Sequence, residues 1–196
     1  MQKRAAKEAE TRQRIVDAAV ALHREKGAWR TKPAEIAARA NVSLATYYKY
    51  FPSLGAMVTA CTARGRELIP PPDAESVAAL PPDPAARIQA MVRTLFDYYE
   101  VREPWLYAGR TEEKLIPELR PAVDRLRGLR EAFVRAALAP VVAGREVTGV
   151  VNALVDFWAW RTLRGEVGFT QEEATAHVAD AIQRVVDALV PRHQPQ

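Results

Sequence analysis

The sequence predicts an all-α fold, and three features of the chain lead to this prediction. Apolar residues recur at three- and four-residue spacing along most of the 196 residues. No segment alternates apolar and polar residues with a period of two, as half-buried strands do. Capping residues and prolines stand where the periodic segments begin. With 48% hydrophobic and 27% charged residues, the composition is that of a folded helical protein with a substantial core.

Each predicted helix lies between a starting and a breaking signal. Gly27 stands where the first helix should end, Asp83-Pro84 supplies a cap and a first helical residue, and residues 170–173 form a capping box. Trp29, in the loop after the first helix, is expected to close the core over the end of that helix. The predicted helices cover Thr11 to Lys26, Pro33 to Ala40, Ser43 to Tyr50, Leu54 to Leu68, a segment from Pro84, a broken helix over 101–119, Pro121 to Leu138, Glu146 to Arg164 and a last segment from Thr170 to Leu189.

Residues 32–51 contain two short helical patterns that meet at a sharp turn. Asn41 tolerates the left-handed backbone conformation that ends a helix, and the Ser43 hydroxyl can cap the next one. The second helix has few carboxylates and offers hydroxyl, phenol and amino groups that suit phosphate. A helix, a tight turn and a polar second helix are typical of the helix-turn-helix, whose second helix enters the DNA major groove.

The positive charge is concentrated in the first third of the chain. The whole sequence has a net charge of +4, but residues 1–66 carry 13 Lys and Arg against 5 Asp and Glu, and residues 67–196 carry 15 against 19. A basic region can simply be a solvated surface. Beside a helix-turn-helix pattern, it favours a binding site for a polyanion.

Residues 70–84, which include six prolines, mark the end of this basic region. We expect a simple loop here, although Pro-rich segments also serve as recognition peptides. Among the later helices, Glu146 to Arg164 is apolar nearly all round between Val150 and Trp160, which indicates burial on two sides.

The last predicted helix carries an unbroken apolar stripe that also needs cover. The chain itself can supply this cover, or a second copy can contribute. We favour a two-fold homodimer, because such dimers are the commonest oligomers and dimeric helix-turn-helix proteins bind two half-sites. The residues predicted at this interface are Val151, Leu154, Val155, His177, Val178, Ala181 and Val185.

The segment NVSLATYYKYF, residues 41–51, together with the helices before it, resembles the helix-turn-helix signature of the TetR family of transcriptional regulators. The resemblance is specific over residues 11–57 and rests on helix order over 84–190. It implies about nine helices, a dimer formed mainly by the last two, and a ligand-responsive core. We therefore expect a DNA-binding domain over 1–53 and a ligand-binding and dimerisation domain over 54–196, with the Pro-rich loop 70–84 inside it.

The resemblance also implies which residues contact DNA. Hydroxyl groups can bond phosphates or base edges, a small residue lets the backbone come close, and a leucine suits a thymine methyl group or packing. Tyr47 is expected in the core instead. Leu54-Gly55 departs from the family, which often has a Lys and then an acidic residue there. The expected DNA contacts are Lys32, Ser43, Leu44, Ala45, Thr46, Tyr48, Lys49 and Tyr50.

Aromatic residues of the C-terminal part are candidates for lining an effector pocket. Helical aromatic stripes are more often core than ligand site, and the sequence leaves both possibilities open. The expected effector is small and largely hydrophobic or aromatic, and no cofactor or metal is expected. The candidate residues are Phe96, Tyr99, Trp105, Tyr107, Phe133, Phe157, Trp158 and Trp160.

The function expected from these features is a cytoplasmic repressor that a small molecule releases from a palindromic operator. One alternative is an architectural protein that binds DNA without sequence preference, because the basic region would also serve that purpose. The weakest alternative is an enzyme using Cys61, since His23, His177 and His193 form no local motif with it. No apolar stretch of about 18 residues predicts a membrane span.

Overall fold

The computed structural model describes residues 2–141 and 143–189, apart from the side chains of Gln2 and Ala74. Within these ranges it contains helices and no strands, so the predicted all-α class is confirmed. His193 and the end of the expected C-terminal domain lie outside the described residues. The helices are α1 Gln2–Lys26, α2 Pro33–Arg39, α3 Leu44–Tyr50, α4 Leu54–Leu68, α5 Ala74–Ala78, α6 Pro84–Glu112, α7 Arg120–Leu138, α8 Arg145–Leu154, α9 Phe157–Gly165 and α10 Gln171–Leu189, with short 3-10 helices at Pro117–Leu119 and Ala139–Val141.

The chain forms two compact units. Unit 1 comprises residues up to 70 together with 102–125, and unit 2 comprises 71–101 together with the residues from 126 on. Helix α6 contributes its first part to unit 2 and its last part to unit 1.

The core of unit 1 joins α1 to the helices of the turn. Ile15, Ile36, Tyr47, Phe51 and Met57 are each at most 2% exposed and belong to one apolar cluster. Burying a side chain of this size contributes about 1.5–3 kcal/mol, so these few contacts orient the short helices α2 and α3. Neither helix is long enough to be stable by itself.

The loop after α1 corrects one prediction. Trp29 is 55% exposed, so the expectation that it closes the core was wrong. Ala28, 5% exposed, lies inside instead, because the loop is held from the end of α6.

Helices α5 and α6 also differ from expectation. The Pro-rich segment contains α5, a single capped turn in which the N–H of Ser76 donates to Asp73 Oδ1 over 3.0 Å. Helix α6 continues through Pro104 to Glu112, so the predicted broken helix over 101–119 is largely an extension of α6. The break occurs only near Ile116.

The predicted single helix from Glu146 to Arg164 is two helices. Asp156 caps α9 by accepting from the N–H of Trp158 at 3.0 Å, and it also pairs with the Arg130 side chain from α7. Val150 is 43% exposed while Val151 is fully buried. Helix α8 therefore has one buried face in the chain. The prediction of one continuous helix was wrong, because α8 ends at Leu154 and α9 begins at Phe157.

Candidate functional site

Helices α2 and α3 are joined by a turn that the local sequence builds. Asn41 has a φ of 53°, in the left-handed region that Asn tolerates, and the N–H of Val42 donates to the Ala37 carbonyl over 3.0 Å. The Ser43 hydroxyl accepts from the N–H of Thr46 at 3.1 Å, which caps α3. The turn and the cap predicted from the sequence are confirmed.

One side of α3 is anchored in unit 1. Tyr47 is 2% exposed, and its ring meets that of Tyr48 edge-on with centroids 5.3 Å apart. Burial raises the pKa of Tyr47 to about 12, so its phenol is neutral. The expected core position of Tyr47 is confirmed, and it determines which side of α3 faces outward.

The outward side of α3 carries the residues predicted to contact DNA. Leu44 and Tyr48 are 44% and 48% exposed. Thr46 and Tyr50 are half-buried, and Lys32 is exposed at the residue before α2. The remaining candidates, all exposed, are Ser43, Ala45 and Lys49.

The basic candidates have different surroundings. Lys49 Nζ lies 3.5 Å from Glu8 Oε1 of α1 and 5.2 Å from the centre of the Tyr50 ring. The backbone N–H of Lys32 donates to Glu35 at 2.8 Å. A hydrogen bond from Lys26 at 2.5 Å lowers the pKa of Glu35, which keeps that carboxylate charged at the start of α2.

Glu112, at the end of α6, is a supporting residue that the sequence analysis missed. Its Oε2 accepts from the backbone N–H groups of Ala28 at 2.9 Å and Trp29 at 3.2 Å. Gly27 has a φ of 84°, and a Cβ built there would lie 2.2 Å from Glu112 Oε1. Glu112 therefore holds the loop before α2. No local sequence pattern could have indicated this contact, because Glu112 lies 84 positions after Ala28.

Gly55, one of the two residues that depart from the family pattern at the start of α4, lies against the Glu118 side chain. A Cβ built on this buried residue would lie 2.0 Å from Glu118 Oε1. Ile116, 2% exposed, packs with Ala28 and Val58 in the same region. The absence of a Cβ at residue 55 leaves room for the exposed Glu118 side chain, and Leu54 remains 36% exposed.

Several of the predicted pocket aromatics meet inside unit 2. The Tyr99 ring lies 6.1 Å from Phe96, 5.8 Å from Phe157 and 6.0 Å from Trp160, measured between centroids. All four side chains are buried, and so is Phe133. Edge-on and tilted packing of this kind stabilises a core and also offers an aromatic surface to a ligand.

Three other aromatic candidates are not part of that cluster. Trp105 belongs to unit 1, where the guanidinium groups of Arg24 and Arg102 lie 5.4 Å and 4.7 Å from the centre of its ring. Tyr107, also in unit 1, is 41% exposed. Trp158 in unit 2 is 37% exposed, although its ring touches the cluster through Phe157.

The residues predicted at a dimer interface divide by exposure. Val151, Val155 and Val178 are buried within the chain, so they face its own core. His177 is exposed, with its ring 5.0 Å from that of Phe169. The half-buried members of the set are Leu154, Ala181 and Val185.

Cys61 does not have the environment of an activated nucleophile. Burial raises the pKa of its thiol to about 12, and Sγ lies 3.5 Å from Met57 Sδ. The described residues contain no group of three or more His, Cys, Asp or Glu suited to a metal ion. They also contain no helix with the length and apolarity of a membrane span.

The helix-turn-helix geometry can be compared with known families. The family model of bacterial regulatory proteins, tetR family, matches residues 15–61. This segment of the chain is therefore a TetR-family helix-turn-helix. It runs from the middle of α1 through α2 and α3 into α4.

The comparisons extend beyond the matched segment. The HTH-type transcriptional repressor KstR of Rhodococcus jostii (strain RHA1) is 26% identical over 190 residues, covering 92% of this chain and 83% of KstR. Multidrug binding protein EbrR in complex with imidazole has a TM-score of 0.61 at 22% identity, with 95% and 93% of the two chains covered. A transcriptional regulator from Rhodococcus sp. Rha1 has a TM-score of 0.66 at 18% identity, with 92% and 99% covered. These structures show that the fold is shared.

Proposed function

We propose that this TetR-family protein is a transcriptional repressor that a small, largely hydrophobic ligand releases from a palindromic operator in the cytoplasm. The observation that carries the proposal is the exposed polar side of α3, held outward by the buried Tyr47. The relative KstR is named as a transcriptional repressor, which supports repression rather than activation.

The DNA-binding function is assigned to residues 1–53. Ser43 and Thr46 offer hydroxyl groups at the start of α3, where backbone N–H groups also favour phosphate. Tyr48 offers a phenol and Lys49 a positive charge on the exposed side. Leu44 is exposed enough to contact a thymine methyl group, so the preferred sequence should include thymine at that position.

The effector-binding and dimerisation functions are assigned to residues 54–196. The aromatic cluster around Tyr99 supports an effector with an aromatic or apolar ring. EbrR, which shares the fold, was crystallised with imidazole and with proflavin, and these complexes support the same ligand class. Helix α6 carries both Tyr99 and Glu112, so an effector that displaces α6 also displaces the loop before α2.

A homodimer supplies the second α3 that a palindrome requires. In unit 2, α8 and α10 pack together and leave apolar side chains outward, including Val150 at 43% exposure and the half-buried Leu154 and Val185. We propose that this surface pairs with itself about a two-fold axis, as isologous interfaces do. Sedimentation should find a dimer, and Val185→Asp should convert it to a monomer that keeps its helical spectrum.

Binding to labelled duplexes from the region upstream of its own gene tests the function. Tyr48→Phe and Lys49→Ala should both weaken binding, and affinity should fall steeply as salt rises from about 50 to about 200 mM. Arg135→Ala is the matched control, because Arg135 is an exposed arginine of α7 in unit 2.

Footprinting separates this function from its main alternative. Protection confined to one inverted repeat supports the repressor, whereas uniform coverage of any duplex supports an architectural protein. Salt-insensitive binding, or none to the upstream DNA, would contradict the proposal.

A further inference from the structure

The first three turns of α1 precede the segment that the family model matches. That match begins at Ile15, whereas α1 begins at Gln2. The extension carries Lys3, Arg4 and Lys7, all exposed. This basic part of α1 therefore lies outside the matched segment.

One carboxylate connects this extension to α3. Glu8 Oε1 lies 3.7 Å from Arg4 Nε, one turn earlier in α1, and 3.5 Å from Lys49 Nζ in α3. Arg4 and Lys49 therefore share a single anionic oxygen. The three side chains are 87%, 45% and 62% exposed in the order Arg4, Glu8 and Lys49, so the arrangement is open to solvent.

Helical geometry places Arg4 on the same side of α1 as this contact. Residues at positions 4, 8, 12 and 15 lie on one face, because i and i+4 or i+3 positions are neighbours on a helix. Arg12 of this face lies over the Phe51 ring, just after α3, at 5.2 Å. Glu10 falls on the opposite face of α1, and Arg14 projects about a quarter of a turn away from Arg4; both are exposed.

We propose that the α1 extension is part of the DNA-binding surface, with Arg4 contacting a backbone phosphate beside the one held by Lys49. In the free protein, Glu8 occupies the position between these two cations and competes with phosphate for them. Exposed ion pairs of this kind are weak, so phosphate can displace Glu8. The carboxylate then limits the affinity for DNA of any sequence.

This inference rests on the proposed function, because Lys49 must face DNA. The chemistry recognised is the phosphodiester backbone, because α3 and not α1 carries the residues proposed to reach base edges. Its contribution should therefore be independent of sequence and visible with a non-operator duplex.

The test measures binding to a mixed-sequence duplex of about 30 base pairs, long enough for two half-sites one turn apart. Titrations at several salt concentrations between about 50 and about 200 mM give the salt dependence. Arg4→Ala should weaken binding about threefold to fivefold and reduce the slope of log K against log salt by about 1. Glu8→Gln should strengthen binding about threefold.

Each variant has a control with the same change of charge in the same helix. Arg14→Ala is compared with Arg4→Ala, and Glu10→Gln with Glu8→Gln, because both controls are exposed residues of α1 that project away from the contact between Glu8 and Lys49. The gain in DNA affinity from Glu8→Gln should also be smaller in the Lys49→Ala background, because the lysine cation that Glu8 pairs with is then absent. Unchanged helical spectra and thermal midpoints show that all variants fold.

The outcomes separate this inference from the proposed function. Equal effects of Arg4→Ala and Arg14→Ala, with Lys49→Ala still weakening binding, would overturn the role of the extension and leave the function intact. A wild-type protein that binds no duplex, or a Lys49→Ala variant that binds as well as wild type, would overturn both.

Discussion

The break between α2 and α3 and the break between α8 and α9 have different causes. Between α2 and α3, Asn41 adopts a left-handed conformation and Ser43 caps the next helix. Between α8 and α9, Asp156 caps the next helix while also pairing with Arg130 of α7. The first break is local, whereas the second depends on a partner 26 residues away.

The two breaks also present their second helices differently. Helix α3 keeps Tyr47 inside and leaves Tyr48 and Lys49 outward. Helix α9 places Phe157 and Trp160 in the aromatic cluster of unit 2. The helix after the local break, α3, therefore has an exposed side, whereas the helix after the break that involves Arg130, α9, packs into the aromatic cluster.

Among substitutions at these two breaks, the largest loss of stability is expected at Asp156. Asp156→Ala should lower the free energy of unfolding by about 3–5 kcal/mol, because it leaves Arg130, 15% exposed, without its main counter-charge and removes the cap of α9. Chemical denaturation checks this. In the Arg130→Met background the same substitution should cost much less, and equal costs in both backgrounds would argue against the pair.

Acid should lower the stability of the protein through the buried His23 of unit 1 and not through the exposed His177 of unit 2. His23, in unit 1, is 6% exposed with Nε2 unpaired among the described residues, and burial lowers its pKa from 6.5 to about 4. The unfolded chain therefore binds a proton at higher pH than the folded one. The associated stability is complete above pH 6.5 and is lost as the pH falls towards 4, by about 3 kcal/mol.

Comparing variants isolates this contribution from that of the carboxylates. His23→Leu should remove the loss of stability between pH 6.5 and pH 4, whereas the exposed His177→Gln should retain it. Denaturation midpoints at several pH values measure the difference. Parallel pH profiles for wild type and His23→Leu would show that His23 is not the group responsible.

Glu112 tests whether the local break needs tertiary support. Glu112→Ala should cost about 2 kcal/mol, because two backbone N–H groups lose a charged acceptor. Glu112→Gln keeps one acceptor oxygen and should cost about half as much. Weaker DNA binding by both variants, in the order of their stability losses, would show that the loop before α2 positions α3. Unchanged binding would separate the loop from the recognition surface.

The smallest effect is expected at the cap of α3. Ser43→Ala should cost about 1 kcal/mol, and Ser53→Ala, which removes the equivalent cap of α4, should cost about the same. Only Ser43→Ala should also weaken DNA binding, because Ser43 is at the proposed interface. Stability and binding measured side by side make this comparison, and matched losses of binding would contradict it.

Local signals in the sequence were sufficient for most of unit 1. The sequence located α2 and α4, and the turn at Asn41 and Ser43 formed as expected, but α1 begins at Gln2 and not at the predicted Thr11. These features depend on backbone conformation and on hydrogen bonds within a few residues, which the sequence states directly. The resemblance to the TetR family over the same residues was confirmed by the family model.

Features that depend on distant residues were missed or wrong. The sequence predicted a core position for Trp29, a continuous helix across Asp156 and no role for Glu112 or Gly55. In each case a partner far along the chain decides the outcome: Glu112 holds the loop at Trp29, Arg130 binds Asp156, and Glu118 lies against Gly55.

The sequence by itself therefore determined the helical class, the helix-turn-helix and the residues available to face DNA, because hydrophobic period, caps and turns are local properties. Only the tertiary structure decided that Trp29 stays exposed, where the apolar stretch after Glu146 breaks, and that Glu8 lies between Arg4 and Lys49. Those outcomes depend on burial and on charge pairs between distant segments, and a linear pattern contains neither.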